Sequence, residues 1–390
     1  MKIIAQELLT QFSNLLQTEL FPKLESSVGP LSKQGKLLVS VVSMASLRRW
    51  VGGRRAHTGR RPMDRQSLAT AFFAKAVYNL TTTRHLIERL HSDSQLRRLC
   101  GWERADQVPA EATFSRAFAE FAAAGLPAKI HEALIRNTQQ DRVIGYIARD
   151  STAIDARQHL PGDNDKAKEA KVTPKQPAPV KSKKKFVHRP RVKRGPHKRA
   201  KASERGPRLQ RQQHMKLEQM LAELPQECSL GVKTSSKGHQ QYWRGFKLHW
   251  DVADGGRIPI SCILTGASVH DSQVAIPLMQ MSAGRVRWLC DVMDSAYDAK
   301  AIRSQSKKLG HEALIKPIKR KRKSPTVEDE FSEEDKQRFK KRTIVEQLNG
   351  RLKDEFGGRI IYFRGAAKIM AHLMFGVVAL TVDQLLRTVS

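Results

Sequence analysis

Residues 338–353 read RFKKRTIVEQLNGRLK, a stretch of helical composition in which one glutamate stands among many cations. A helix advances about 100° per residue, so with Glu346 set at zero, Arg342 falls near roughly −40°, Lys353 near roughly −20° and Phe339 near roughly +20°. A carboxylate, two cations and an aromatic ring thus share one narrow stripe. Such a stripe serves either a solvated salt-bridge ladder or a metal-ligating carboxylate that meets a phosphate chain. The rest of the chain has to decide between them.

The chain has 390 residues, enough for two or three domains, and 40% of them are apolar, enough for real cores. Its net charge of +32, from 70 Lys and Arg against 38 Asp and Glu, calls for a polyanionic partner. Nucleic acid comes first, because each cation set on a phosphate releases a counterion. A membrane surface would need a basic amphipathic helix, and none stands out. The apolar run LMFGVVALTV (373–382) is too short for a span and reads as a buried core helix. The N-terminus carries acids in an amphipathic pattern and does not read as a signal peptide. Cys100, Cys228, Cys262 and Cys290 fit no zinc spacing and are expected as reduced, mostly buried thiols.

Residues 1–140 read as all-helical, with Thr83 and Ser94 as candidate N-caps and Gly101 as a C-cap. Phe114, Phe118 and Phe121 share one helical face and read as core. Short helices carrying Arg97, Arg98 and Arg116 fit a helix-turn-helix-like DNA reader. Near residue 143 the texture changes to VIGYIARD, a β-branched strand ending in an aspartate. Residues 163–216 form a Lys/Arg/Pro-rich insert with no apolar period, expected to be disordered and to act as a basic arm on DNA phosphates. Beyond it the pattern runs strand, strand, helix, strand, helix, strand, helix. The fold class is α/β: a mixed sheet flanked by helices over 141–390, preceded by an all-α domain over 1–140.

Two of these strands end on an acid, Asp150 in IARDST and Asp294 in CDVMDSAYD, and Glu346 is the third candidate. Acids at strand ends in such sheets lie where sites form. Three gathered carboxylates repel one another unless cations neutralise them. Two divalent ions do so, and they also activate water and stabilise the leaving oxygen of a phosphodiester. Hard oxygen ligands favour Mg²⁺ or Mn²⁺. Each acid has a rival: Asp155 lies beyond the expected strand end, Asp291 falls on the opposite strand face from Asp294, and Asp271 in SVHDSQ could cap a helix.

At this point the chain resembles the DDE transposases of bacterial insertion sequences, the group with a Tyr-x2-Arg-x3-Glu-x6-Lys signature. Phe339, Arg342, Glu346 and Lys353 stand at that spacing, with phenylalanine in the tyrosine position. RDST matches the first-aspartate motif and selects Asp150; DSAYD, with Tyr297, matches the second and selects Asp294. The resemblance implies a ribonuclease H-like catalytic domain in which Asp150, Asp294 and Glu346 bind two Mg²⁺ or Mn²⁺ ions. It implies that Arg342 and Lys353 hold phosphates near the transposon end. It further implies DNA as partner, homo-oligomers on DNA, no membrane, and a cytoplasmic, nucleoid-associated place in a bacterium. Two other readings stay open: a nuclease that cuts without joining, and a DNA-binding protein that has lost catalysis.

Overall fold

The computed structural model describes residues 2–51, 63–158, 207–234, 239–317 and 332–389. The arginine-rich loop over 52–62, most of the basic insert (159–206) and the charged stretch 318–331 lie outside the described residues.

The N-terminal part is helical, as expected: α1 (Lys2–Leu15) continues through a π turn into α2 (Phe21–Val28), followed by α3 (Lys33–Ala45), α4 (Arg65–Val77), α5 (Thr83–Ser92), α6 (Ser94–Leu99), α7 (Glu111–Ala123) and α8 (Leu126–Gln139). The caps fall one residue earlier than expected. Thr82 accepts from the His85 amide and Asp93 from the Leu96 amide, each closing an N-terminal turn that would otherwise leave donors unpaired. Gly101 follows Cys100 with φ 92°, the left-handed position after a helix that glycine takes without strain.

β1 (Val143–Asp155) does not stop at Asp150; it pairs with its neighbour as far as Asp155. The end of the basic insert is ordered, against expectation: α9 (Arg208–Gln212) buries Gln212, whose amide donates to the Gln273 carbonyl at 2.8 Å. Next come α10 (Leu217–Glu223), β2 (Ser229–Thr234), β3 (Gln240–Ala253), β4 (Ile258–Gly266), α11 (Ser272–Ala283), β5 (Arg287–Met293), α12 (Lys300–Lys308) and β6 (Glu312–Ile315). Of these, α10 and β2 escaped the sequence reading. The charged stretch then leads to α13 (Glu333–Lys340), α14 (Thr343–Glu355) and α15 (Ala366–Arg387).

The six strands form one mixed sheet. β4, β3 and β1 run antiparallel in turn, and β1, β5 and β6 are parallel. This is the ribonuclease H-like arrangement. β3 is long enough to pair with β2 over its first half and β4 over its second along the same edge. The handover falls at Gly245, where a Cβ would stand 2.1 Å from the Ile154 carbonyl oxygen, so only glycine lets the strands approach. α11 packs on β3 and β4 from one side, while α14 packs on β1 and β3.

The apolar run near the C-terminus is the middle of α15, a helix of 22 residues and longer than the sequence suggested. Length and composition would let it cross a membrane, yet 83% of its apolar window is buried. It packs against α3, α4, α7, α8 and β4. There Phe375 meets Phe72, Phe73 and Phe118, the last from the expected phenylalanine stripe of α7. All four cysteines are free and buried, as expected.

Candidate active site

Strand register sets the first two acids. In the parallel pair β1/β5, Arg149 lies level with Met293, so the next residues along, Asp150 and Asp294, emerge side by side from adjacent strands. Neighbouring strands are about 4.8 Å apart. Asp150 holds its carboxylate against its own strand by accepting from the Ser151 amide at 2.8 Å. Asp294 turns at the strand end and accepts from the Ala296 amide at 2.9 Å, capping the short 3-10 turn Ser295–Tyr297.

Glu346 arrives on the first turn of α14. Arg342, just ahead of that helix, ties the groups together: its guanidinium donates to Asp150 Oδ2 at 3.0 Å and to Glu346 Oε1 at 2.8 Å. The stripe over 338–353 is therefore not one helix. It breaks at Lys341–Arg342, between α13 and α14, and the Thr343 hydroxyl donates to the Lys340 carbonyl freed there at 3.1 Å. The break falls within three consecutive cations, Lys340, Lys341 and Arg342, the last of which donates to the two acids. The Phe339 ring packs beside Cys290, Val292 and Leu314, with the Arg342 guanidinium 5.9 Å from its centre. Lys353 lies half-buried two turns beyond Glu346. Burial lowers its pKa first; the charge of Asp155 opposes this, and Arg359 and Lys233 add to it.

Burial pushes the Asp150 carboxyl up to about 6, with the charges of Asp294 and Asp271 adding to it and the Ser151 amide and Arg342 opposing. Asp294 is raised too, by burial first and then by Asp271. Glu346 stays open, its side chain 56% exposed. One guanidinium thus bridges Asp150 and Glu346, and its charge also reaches Asp294. Among the described residues, no three His, Cys, Asp or Glu side chains stand close enough to grip a metal ion together. The donor set nevertheless fits hard divalent cations, being all carboxylate. The Tyr297 hydroxyl points the same way: it is buried, lacks a hydrogen-bond partner among the described residues, and feels the charges of Asp271, Asp150 and Asp294.

A family model described as Transposase DDE domain matches residues 210–382, and one described as Transposase domain (DUF772) matches residues 30–120. Both matches are to transposase domains, and together they support a DDE transposase of an insertion sequence. No curated protein and no solved structure matches it. The matched DDE region includes Asp294 and Glu346 and begins after Asp150, so Asp150 stands with them on geometry alone. DNA is the partner that both domains imply, and the DDE family is generally dependent on divalent metal.

The rivals of the transposase acids also have places. Asp291 is fully buried inside the sheet, where Arg149, Trp288 and Ser306 contact it. Arg149 donates to Asp251 Oδ2 through Nη2 at 2.8 Å, with Nε in ion-pair contact with Oδ1 at 2.7 Å. This Arg149–Asp251–Asp291 network, braced by Ser282 on Asp251 at 2.6 Å, ties β1, β3 and β5 together directly beneath the acids. Asp271 is not a side-chain cap of α11, although it stands at that position; it pairs with Lys247 instead. Asp155 is exposed on the last residue of β1.

Among the helical cations, Arg97 donates to the Leu90 and His91 carbonyls at 3.0 Å each, closing the end of α5. Arg98 and Arg116 are exposed, the former paired with Glu103 at 3.2 Å. Sequence reading missed Arg149, Asp251, Lys247 and His249. The available signal was charged residues in apolar strands, as in LHWDVAD, where a buried side needs a partner.

Proposed function

We propose that this transposase binds the terminal inverted repeats of its element, cleaves a strand at each end, and joins the freed 3′-hydroxyl to target DNA. The observation that supports this most is the placement of Asp150 and Asp294 side by side on adjacent parallel strands, with Arg342 bridging Asp150 to Glu346.

In this reading Asp150, Asp294 and Glu346 would hold two Mg²⁺ or Mn²⁺ ions, and Arg342 would leave the carboxylates that it now bridges. The chemistry such a cation pair supplies when bound is activation of water and neutralisation of the leaving oxygen. The chain's own residues do the rest. Asp150, fixed by the Ser151 amide, and Asp294, fixed by the Ala296 amide, present their remaining oxygens in a constant geometry. Arg342 passes from the carboxylates to a DNA phosphate, for which its planar fork is suited. Lys353 meets the same strand further along α14. Hydrolysis breaks one P–O3′ bond and leaves a 3′-hydroxyl and a 5′-phosphate. In joining, that hydroxyl attacks a target phosphorus and displaces a target 3′-oxygen, so the number of phosphodiester bonds is conserved.

The helices within residues 1–140, with Arg98 and Arg116 exposed, contact the repeat, and residues 141–390 carry the chemistry. Arg97 supports that surface from within. The basic insert adds contacts to the phosphates, and two copies act together on paired ends beside the bacterial nucleoid.

The test is strand cleavage of duplexes copied from the DNA flanking the gene, with Mg²⁺ or Mn²⁺. Wild type is expected to cut at the repeat end only with metal, and Asp294→Ala to leave the duplex intact. Tight binding without cutting under either metal would make the chain a binding protein derived from a transposase. Cutting without any joined product would make it a nuclease.

A further inference from the structure

Asp271 takes no part in the chemistry proposed above, and its surroundings are unusual. Its carboxylate accepts from Lys247 Nζ at 3.0 Å and from the Ser151 hydroxyl. Lys247 is anchored by a second hydrogen bond, to the Val269 carbonyl at 3.1 Å. His249 Nδ1 stands 3.8 Å from Asp271 Oδ1 with no hydrogen-bond partner among the described residues, and its side chain is 1% exposed.

At 2.9 Å from His249 Nε2, the Thr265 hydroxyl takes whichever role the ring tautomer leaves it. Nδ1, the other ring nitrogen, faces the Asp271 carboxylate in a buried place. Lys247 supplies positive charge there, and the Tyr297 hydroxyl, without a partner among the described residues, lies within the field of the same acid.

The register connects this cluster to the site. His249 is directly opposite Ser151, the residue after Asp150, and Lys247 is opposite Ala153 on β1 and Thr265 on β4. The charge of Asp271 also reaches both Asp150 and Asp294.

We propose that Asp271 is a positioning residue of the acid centre, a fourth carboxylate that, through Ser151 and with Lys247 and His249 behind it, fixes Asp150 and Asp294 for the divalent cations. This rests on the reading above that Asp150 and Asp294 take those cations. Lys247 keeps Asp271 ionised when no cation is present, and Ser151 transmits its position to β1. Residues behind a metal site that orient its ligands typically alter metal affinity by about 10–100-fold when removed.

The probe is Mn²⁺ alone, titrated into metal-free full-length protein and followed by the loss of the free-ion electron paramagnetic resonance signal. Asp271→Asn, which keeps shape and removes charge, is expected to weaken Mn²⁺ binding about tenfold or more. Ser151→Ala is expected to weaken it roughly threefold, the scale of one neutral hydrogen bond. Thermal unfolding of the metal-free proteins separates this from a merely structural role: a lowered melting temperature with wild-type Mn²⁺ affinity overturns the proposal. Should Asp271→Asn fail to fold, wild-type affinity in Ser151→Ala overturns it alone. Asp294→Asn is the control. If it loses Mn²⁺ while Asp271→Asn does not, only this inference falls; if it binds Mn²⁺ as wild type does, the acid-centre reading falls and this one with it.

Discussion

Two groups of charges lie within one residue of each other along β1, and they are built in opposite ways. Arg149 points into the sheet, is fully buried, and is paired with Asp251 with Asp291 alongside. Asp150, the next residue, points to the other face, where it shares a single guanidinium with Glu346 and has Asp294 at its side. The first group contains its own compensation and is shut from water. The second gathers acids that are short of positive charge and open at Glu346. Buried ions with dedicated partners hold a fold together, whereas acids in excess on adjacent strands are poised to accept a cation.

This contrast is broken most decisively by substituting the acids. Asp150→Asn and Asp294→Asn are expected to reduce metal-dependent cleavage by three orders of magnitude or more, on the order of what loss of a key catalytic group costs. Their metal-free melting temperatures should hold or rise, since a crowded negative charge is removed. Cleavage assays and calorimetry on the same preparations check both halves. Asp251→Ala should do the reverse. Stranding Arg149 in the core is expected to destabilise by about 3–5 kcal/mol, read from urea unfolding. An Asp251→Ala protein as stable as wild type would mean that the network is not what braces β1 against β3.

The raised Asp150 carboxyl sharpens the comparison through pH. Its folded-state pKa of about 6 lies above the ordinary 3.8, so the metal-free fold favours the protonated form. Its stabilising contribution is complete below about pH 4 and is lost as pH rises through about 6. The stability of wild type relative to Asp150→Asn should therefore fall by roughly 2–3 kcal/mol between pH 4 and pH 7. Mn²⁺ affinity should rise over the upper part of that window, because binding must displace the proton. A pH-independent difference between the two proteins would place Asp150 in an ordinary surface setting. The smallest effect belongs to the helical part: Arg98→Ala should lower the salt slope of binding to repeat-end DNA by about one, with cleavage chemistry unchanged once the DNA is bound.

How much of this was legible in the sequence depended on how local each signal was. Asp150 and Asp294 could be found because each closes an apolar, β-branched run, and Glu346 because its flanking cations keep a fixed spacing. The mixed antiparallel and parallel character of the sheet followed from the same alternation of strand and helix. The break at Lys341–Arg342 was not legible, because a cationic run is compatible with a continuous helix and both residues keep helical dihedral angles. The partners of Arg149 lie on β3 and β5, about a hundred residues and more along the chain, and nothing in IARDST names them. Asp271 looked like a helix cap because it precedes α11; only the fold shows that Lys247 takes its carboxylate. Long-range charge pairing was what the sequence alone withheld.

The most direct test of the central claim is anomalous scattering from Mn²⁺ in crystals of the full-length protein bound to repeat-end DNA. The account predicts two peaks about 4 Å apart against Asp150 and Asp294, with Glu346 turned toward them and Arg342 released onto a phosphate. Arg342 still seated between Asp150 and Glu346, with Mn²⁺ bound elsewhere or not at all, would contradict it.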